Sequence, residues 1–361
     1  MKEIKSICFV ASGLMGGGTE RDMSGLANYY CSLGIRVGIL LLFKLDRFYT
    51  IDKRIAIYEP EIDRQKMNKY IYALRLFPFI RKIVKKTNPD VVFSFGEWFN
   101  PFVLLATRGL KYPVFVCDRM SPDLQFGLIL DTAKKYLYKR ADGIIAQTHY
   151  AADIIRKRTN AKNVSVIPNP LNLLDYKPCE KKNYIVSLGR LSKEKGHKYL
   201  INAFSKIDNP DWFLHIIGDG PLRHDLEDLV QHLGISEKVI FHGHLKDFSK
   251  IFAESKIFVL PSLSEGFPNA LIEAMSASLA CISSNCVAGP GDIINHGENG
   301  LLVEPANVDE LRKTLNDLIE DTALRIKLSE NANKIREKLK YEKIAAEYLK
   351  FLSSAQPDSS N

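Results

Sequence analysis

Apolar runs of strand length alternate with helical patterns along almost the whole chain, and the alternation starts twice. The first set is "KSICFVAS", "RVGILLLF", "DVVFSF", "PVFVC" and "GIIAQT", with helical segments between several of them, one from about Glu20 to Leu33. The second is "NYIVSLGR", "WFLHIIGDG", "KVIFHG", "KIFVLPS" and "ACISS", with helices expected over 197–206, 222–233 and 268–277. Strands of this kind, each followed by a helix, read as parallel, and a run apolar at nearly every position reads as a strand covered on both faces. The pattern predicts an α/β chain with two Rossmann-like, doubly wound parallel sheets. At 361 residues the chain is long for one domain and suits two. "IPNPLNLLDYKPCEKKN" (167–183) is rich in Pro and Asn, lacks periodicity and is the expected joint. The domains expected are therefore 1–170 and 171–340, with a helix after 341 returning to the first domain and a disordered tail "SSAQPDSSN".

Composition narrows the class. Apolar residues make up 46% and charged residues 25%, as in soluble globular chains. The longest apolar runs, such as "VGILLLF" (37–43), are far short of a membrane span. "MKEIKSICFVAS" is too short in apolar length for a signal peptide and reads as a first strand. The cysteines, Cys8, Cys31, Cys117, Cys179, Cys281 and Cys286, form no C-x-x-C pair and no zinc spacing, which suggests reduced, buried thiols in the cytoplasm.

Charge is uneven. Residues 1–170 hold 27 Lys and Arg against 15 Asp and Glu, while 171–361 hold 23 against 27. The first half is expected to meet something anionic. Segment 64–86, "RQKMNKYIYALRLFPFIRKIVKK", has eight cations and no acid. Met67, Tyr70, Ile71, Leu74 and Phe77 follow helical spacing, and Ile80, Ile83 and Val84 continue it past Pro78. Such a segment can lie on an anionic membrane surface. The lack of acids favours this contact, with membrane or lipid diphosphate, over the other reading, a helix packed on the first domain with a solvated basic face. Nucleic acid is not expected, because no reading module is present.

"LPSLSEGFPNALIEAM" (260–275) follows the strand "KIFVL", so its turn lies at the carboxyl rim where open parallel sheets bind ligands. Pro268 suits the first position of a helix, which would leave the amides of Asn269, Ala270 and Leu271 free for a phosphate. Gly266 admits a ligand close to the backbone, Glu265 can accept from sugar hydroxyls, and Glu273 can hold a vicinal diol such as a ribose. Taken alone, the two glutamates also fit a surface turn and an amphipathic helix. Arg190 and Lys195 in "SLGRLSKEKGH" offer two cations at another strand end, enough to offset a diphosphate. "GGGTER" is not a dinucleotide fingerprint, since Arg21 stands where the third small residue belongs.

The glutamate pair and its loop resemble the Glu–seven residues–Glu motif of the retaining GT-B glycosyltransferases of family four. "GLMGGGTER" (13–21), "SLGRLSKEKGH" (187–197), "IIGDGP" (216–221), "FHG" (241–243) and "GENGLLVEP" (297–305) follow in the family's order and spacing. The resemblance spans nearly the whole chain. It implies a GT-B fold, two Rossmann-like domains facing across a cleft, the first binding acceptor and the second a nucleotide sugar. It implies that Arg190 and Lys195 neutralise the donor diphosphate, Glu265 contacts the hexose, Glu273 the ribose, and Gly266, Phe267, Pro268, Asn269, Ala270 and Leu271 border the donor. Gly16 and Gly17 would face the diphosphate, or serve only as a tight turn. Asp118 in "CDRMSP" would lie by the acceptor hydroxyl, or be a turn residue pairing with Arg119.

The activity implied is transfer of a hexose or N-acetylhexosamine from a nucleotide sugar, UDP-linked, to a glycan acceptor such as a polyprenyl-diphosphate-linked saccharide of bacterial surface glycans. With no D-x-D sequence, neither metal nor cofactor is expected. The setting implied is the cytoplasmic membrane face, with the protein peripheral. The other readings are a UDP-N-acetylglucosamine 2-epimerase of the same fold, which needs no basic segment, and a non-catalytic membrane scaffold, which needs none of Arg190, Lys195, Glu265 and Glu273 together.

Overall fold

The protein was analysed as a computed structural model, which describes residues 3–62, 64, 66–172 and 179–354. It forms two compact units, 1–170 with 342–361, and 171–341. Residues 173–178 of the expected joint and 355–361 of the expected tail lie outside the described residues.

In the first unit seven strands, β1 (Ser6–Ala11), β2 (Arg36–Leu41), β3 (Ala56–Tyr58), β4 (Val91–Phe95), β5 (Val114–Cys117), β6 (Gly143–Ala146) and β7 (Val164–Val166), form one sheet in the order β3-β2-β1-β4-β5-β6-β7. The crossovers are α1 (Gly18–Ser32), α2 (Lys69–Thr87), α3 (Asn100–Thr107), α4 (Leu128–Leu137) and α5 (His149–Thr159). All pairings are parallel. β1 and β4 are buried at every position, which is why they read as apolar runs with one serine each, Ser6 and Ser94. The helix Tyr341–Leu352 packs on this unit. Tyr30 donates to the Ala345 carbonyl at 2.9 Å, and Phe351 meets Phe115 edge-on at 5.4 Å. Gly143 makes room for that contact, because a Cβ there would lie 2.7 Å from the Phe351 ring.

The second unit repeats the plan with β8 (Tyr184–Leu188), β9 (Phe213–Ile217), β10 (Val239–Gly243), β11 (Ile257–Leu260), β12 (Ala280–Ser284) and β13 (Leu301–Val303), in the order β10-β9-β8-β11-β12-β13. Its crossovers include α6 (His197–Phe204), α7 (Arg223–His232), α8 (Ser249–Glu254) and α9 (Asn269–Ser276). In each sheet the strand order reverses once, between β1 and β4 and between β8 and β11. At such a reversal the two neighbouring loops leave on opposite faces and open a crevice at the carboxyl rim.

Segment 64–86 differs from its expected reading. α2 runs unbroken through Pro78, and the stripe it buries is Tyr72, Leu76, Ile80, Ile83 and Val84. Tyr70, Ile71 and Leu74, placed on the expected apolar stripe, are exposed, while Met67 and Phe77 are half-buried against the core. Two apolar stripes coexist in the first half of this helix, and only the sheet selects which one packs. Proline is tolerated because the carbonyl left without its partner belongs to Leu74, a solvent-facing position. The six cysteines are free and all but Cys179 are buried. Burial pushes the Cys8, Cys117 and Cys286 thiols up to about 12. Among the described residues no helix is long and apolar enough to cross a membrane.

Candidate functional site

At the reversal of the second sheet, the loop after β8 carries Arg190 and Lys195, and the loop after β11 carries Ser262 and Glu265. The loops touch. Lys195 Nζ donates to Glu265 Oε1 at 2.8 Å, and Ser262 Oγ donates to the same oxygen at 2.6 Å. Gly196 permits the approach: its φ is +66°, and a Cβ there would sit 2.0 Å from the Pro261 carbonyl oxygen. Glu265 is buried, whereas the Lys195 side chain keeps 26% of its surface exposed. Arg190 is exposed. His197, the first residue of α6, is buried with neither ring nitrogen bonded. Burial, and then the Lys195 charge, lower its pKa to about 4, so it is neutral.

The loop from Gly266 to α9 is built differently from the sequence-based expectation. Pro268 caps α9 and is not its first helical residue. The Asn269 amide donates to the Phe267 carbonyl at 3.0 Å and the Leu271 amide to the Pro268 carbonyl at 3.0 Å. Of the three amides expected to be free for a phosphate, only that of Ala270 has no backbone acceptor among the described residues. The Phe267 and Leu271 side chains lie in the core, and Gly266 is half-buried. Glu273 faces inward on α9 with 2% of its surface exposed.

At the reversal of the first sheet stand the loop after β1, with Gly16 and Gly17, and the loop after β4, with Glu97. Gly17 caps α1 with φ −94°, which any residue adopts. A Cβ there would lie 2.3 Å from a Glu20 carboxylate oxygen, the movable end of a flexible side chain. Glu97 is buried and accepts from the Arg119 and Met120 amides, just past β5. Next to it, Asp118 accepts from the Tyr138 hydroxyl at 2.6 Å, Lys134 Nζ at 2.9 Å and Asn100 Nδ2 at 3.1 Å. Asp118 is therefore not a turn residue paired with Arg119, whose partners are Asp22 and Asn169. Glu97 and Asp118 share the wall of a cavity of about 350 Å³ with Ser121, Phe126, Lys134 and Arg158.

Burial, and then the Asp118 charge, push the Glu97 carboxyl up to about 7. The folded chain thus holds one more proton than the unfolded chain from the ordinary carboxyl range up to that pH. Stability falls as pH rises across this window. Glu97→Gln removes the titration, so the stability of the variant relative to the parent should rise from about pH 5 to about pH 7 by roughly 1–3 kcal/mol. Denaturant titrations across that range test it, and a pH-independent difference would contradict the assignment.

Sequence reasoning missed Glu97, Ser262, and the Asn100, Lys134 and Tyr138 donors around Asp118. The available signal for Glu97 was its place two residues past a strand; that the strand adjoins β1 is a matter of strand order.

Two family models cover the chain: Glycosyltransferase Family 4 matches residues 16–173, and Glycosyl transferases group 1 matches residues 175–335. An uncharacterized glycosyltransferase of Haemophilus influenzae is 30% identical over 342 residues, spanning 92% of this chain and 95% of its own. The chain belongs to the glycosyltransferases. This glycosyltransferase is also 27% identical over 359 residues, 97% of the chain and 99% of the relative, to a Campylobacter jejuni enzyme. That enzyme is the GalNAc-alpha-(1->4)-GalNAc-alpha-(1->3)-diNAcBac-PP-undecaprenol alpha-1,4-N-acetyl-D-galactosaminyltransferase. The crystal structure of Anabaena HepE in complex with UDP shares the fold at a TM-score of 0.81 and 19% identity, over 97% of this chain and 100% of the other.

Proposed function

We propose that this glycosyltransferase moves a hexose or N-acetylhexosamine, with retention and without a metal, from a UDP-linked donor to a polyprenyl-diphosphate-linked saccharide at the cytoplasmic membrane face. The observation that carries the reading is the Lys195–Glu265 pair at the reversal of the second sheet, with Arg190 exposed in the same loop as Lys195. A cation and a carboxylate held together at a strand-end crevice suit a ligand that is anionic at one end and rich in hydroxyls at the other. HepE supports a uridine nucleotide, and the Campylobacter jejuni relative supports a lipid-linked acceptor.

In this reading Arg190 and Lys195 hold the diphosphate and stabilise the charge that grows on it as the glycosidic bond breaks. The acceptor oxygen bonds to the anomeric carbon on the face the diphosphate leaves, and its proton passes to a departing phosphate oxygen. Glu265 uses its carboxylate on sugar hydroxyls while keeping Lys195 in place. Glu273 takes the ribose diol, and the Ala270 amide is the donor that α9 still offers to a phosphate. Asp118, fixed by its three donors, shapes the acceptor side.

The test is thermal protection by a panel of nucleotide sugars, in excess chelator throughout. A saturating UDP-sugar at about a hundredfold its Kd should stabilise by about 2.7 kcal/mol, whereas GDP- and ADP-sugars should not. Protection by a different nucleotide alone, or protection that depends on added magnesium or manganese, contradicts the donor or the metal-independent mechanism.

A further inference from the structure

α2, α3 and α4 each begin at the carboxyl rim of the first sheet, since each leaves a parallel strand there, and α3 packs between the other two. Their starting ends therefore lie side by side. Each end carries large apolar side chains in solvent: Ile71 and Leu74 on α2, Trp98 just before α3, and Leu128 and Ile129 on α4, the last two each 85% exposed. α4 buries none of its residues. Between α3 and α4 lies a groove of about 650 Å³ lined by apolar residues, including Phe102, Leu105 and Phe126. An apolar surface of this kind on a soluble unit marks a contact.

Charge decides what makes the contact. Leu128–Arg140 carries Lys134, Lys135, Lys139 and Arg140 against Asp131 alone, and segment 64–86 has no acid. Residues 1–170 have a net charge of +12, so a second copy of the chain would bring like charge to the same face. An anionic bilayer offers both complements, hydrocarbon for protruding Leu and Ile and headgroups for the cations. Trp98 suits the boundary between the two.

We propose that the starting ends of α2, α3 and α4 form a membrane-docking face, in which Leu128 and Ile129 enter the hydrocarbon and the flanking cations rest on anionic headgroups. The face deepens the lipid-linked acceptor of the proposed function, although docking itself requires no reaction. It also moves the contact from where segment 64–86 had suggested it. Lys85 and Lys86 lie in the last turn of α2, about 25 Å from its start at 1.5 Å per residue. Lys86 lies over the Tyr58 ring at 5.4 Å.

Sedimentation of the full chain with vesicles of equal parts phosphatidylglycerol and phosphatidylcholine tests this. The parent should bind. Leu128→Ser with Ile129→Ser should lower partitioning at least about tenfold. Lys82→Gln with Lys85→Gln and Lys86→Gln should change it by less than about threefold. The proposal is overturned by a parent that does not bind, by a Leu128/Ile129 variant that binds like the parent, or by a lysine variant that loses as much. It is likewise overturned if the parent is a dimer without lipid that the Leu128/Ile129 change dissociates, for then the face joins two copies. Thermal protection by the UDP-sugar in the same preparations reads the donor site separately, so loss of one reading leaves the other visible.

Discussion

Arg190→Ala is expected to lower transfer by two orders of magnitude or more, and to leave the melting temperature unchanged. The side chain is exposed and makes no ion pair among the described residues, so the fold does not depend on it. A contact that strengthens as charge develops on a leaving group contributes about 3 kcal/mol, and its loss appears in kcat. Lys195→Ala should be as damaging to transfer but less clean. Its removal leaves Glu265 as a buried carboxylate held, among the described residues, by Ser262, which costs stability as well as catalysis. Pairing it with Glu265→Gln should restore stability without restoring turnover. Kinetics and melting of the three variants decide the matter, and near-parent turnover in Arg190→Ala and Lys195→Ala removes both cations from the mechanism.

The two glutamates are expected to fail in different ways. Glu273→Gln should weaken free UDP and the intact donor alike, by about tenfold or more, because a ribose diol loses one charged acceptor. Glu265→Gln should cost turnover by orders of magnitude while leaving UDP affinity undiminished. The Lys195–Glu265 contact gives the reason: neutralising Glu265 releases the ammonium to the diphosphate, so any change in nucleotide affinity is a gain. Calorimetry with UDP and with a UDP-sugar separates the outcomes. Equal losses for both ligands in both variants mean that the glutamates do not divide the donor between them.

The fold was legible because parallel strands covered on both faces leave a local trace. β11 is apolar along its length, β1 and β4 are so apart from Ser6 and Ser94, and each is followed within a few residues by turn chemistry and a helix. The strands that gave no such trace, β3, β7 and β13, have three residues each and lie at sheet edges, where a period of two has no room to appear. The motif residues around Glu265 were legible for a related reason, since a strand end, a glycine and a helix start are all local.

What remained for the tertiary structure was everything set by strand order and by choice between equivalent faces. Lys195 and Glu265 are 70 residues apart and meet only because β8 and β11 are neighbours. Glu97 reaches the Arg119 and Met120 amides, next to Asp118, because β4 pairs with β5. No local pattern encodes adjacency, which depends on the free energy of the whole sheet. The same holds for α2, where Tyr70, Ile71 and Leu74 have the spacing of a core stripe. Tyr72, Leu76 and Ile80 occupy the core instead, because the neighbouring strands and α3 leave room on that side alone, and the competing stripe is left in solvent.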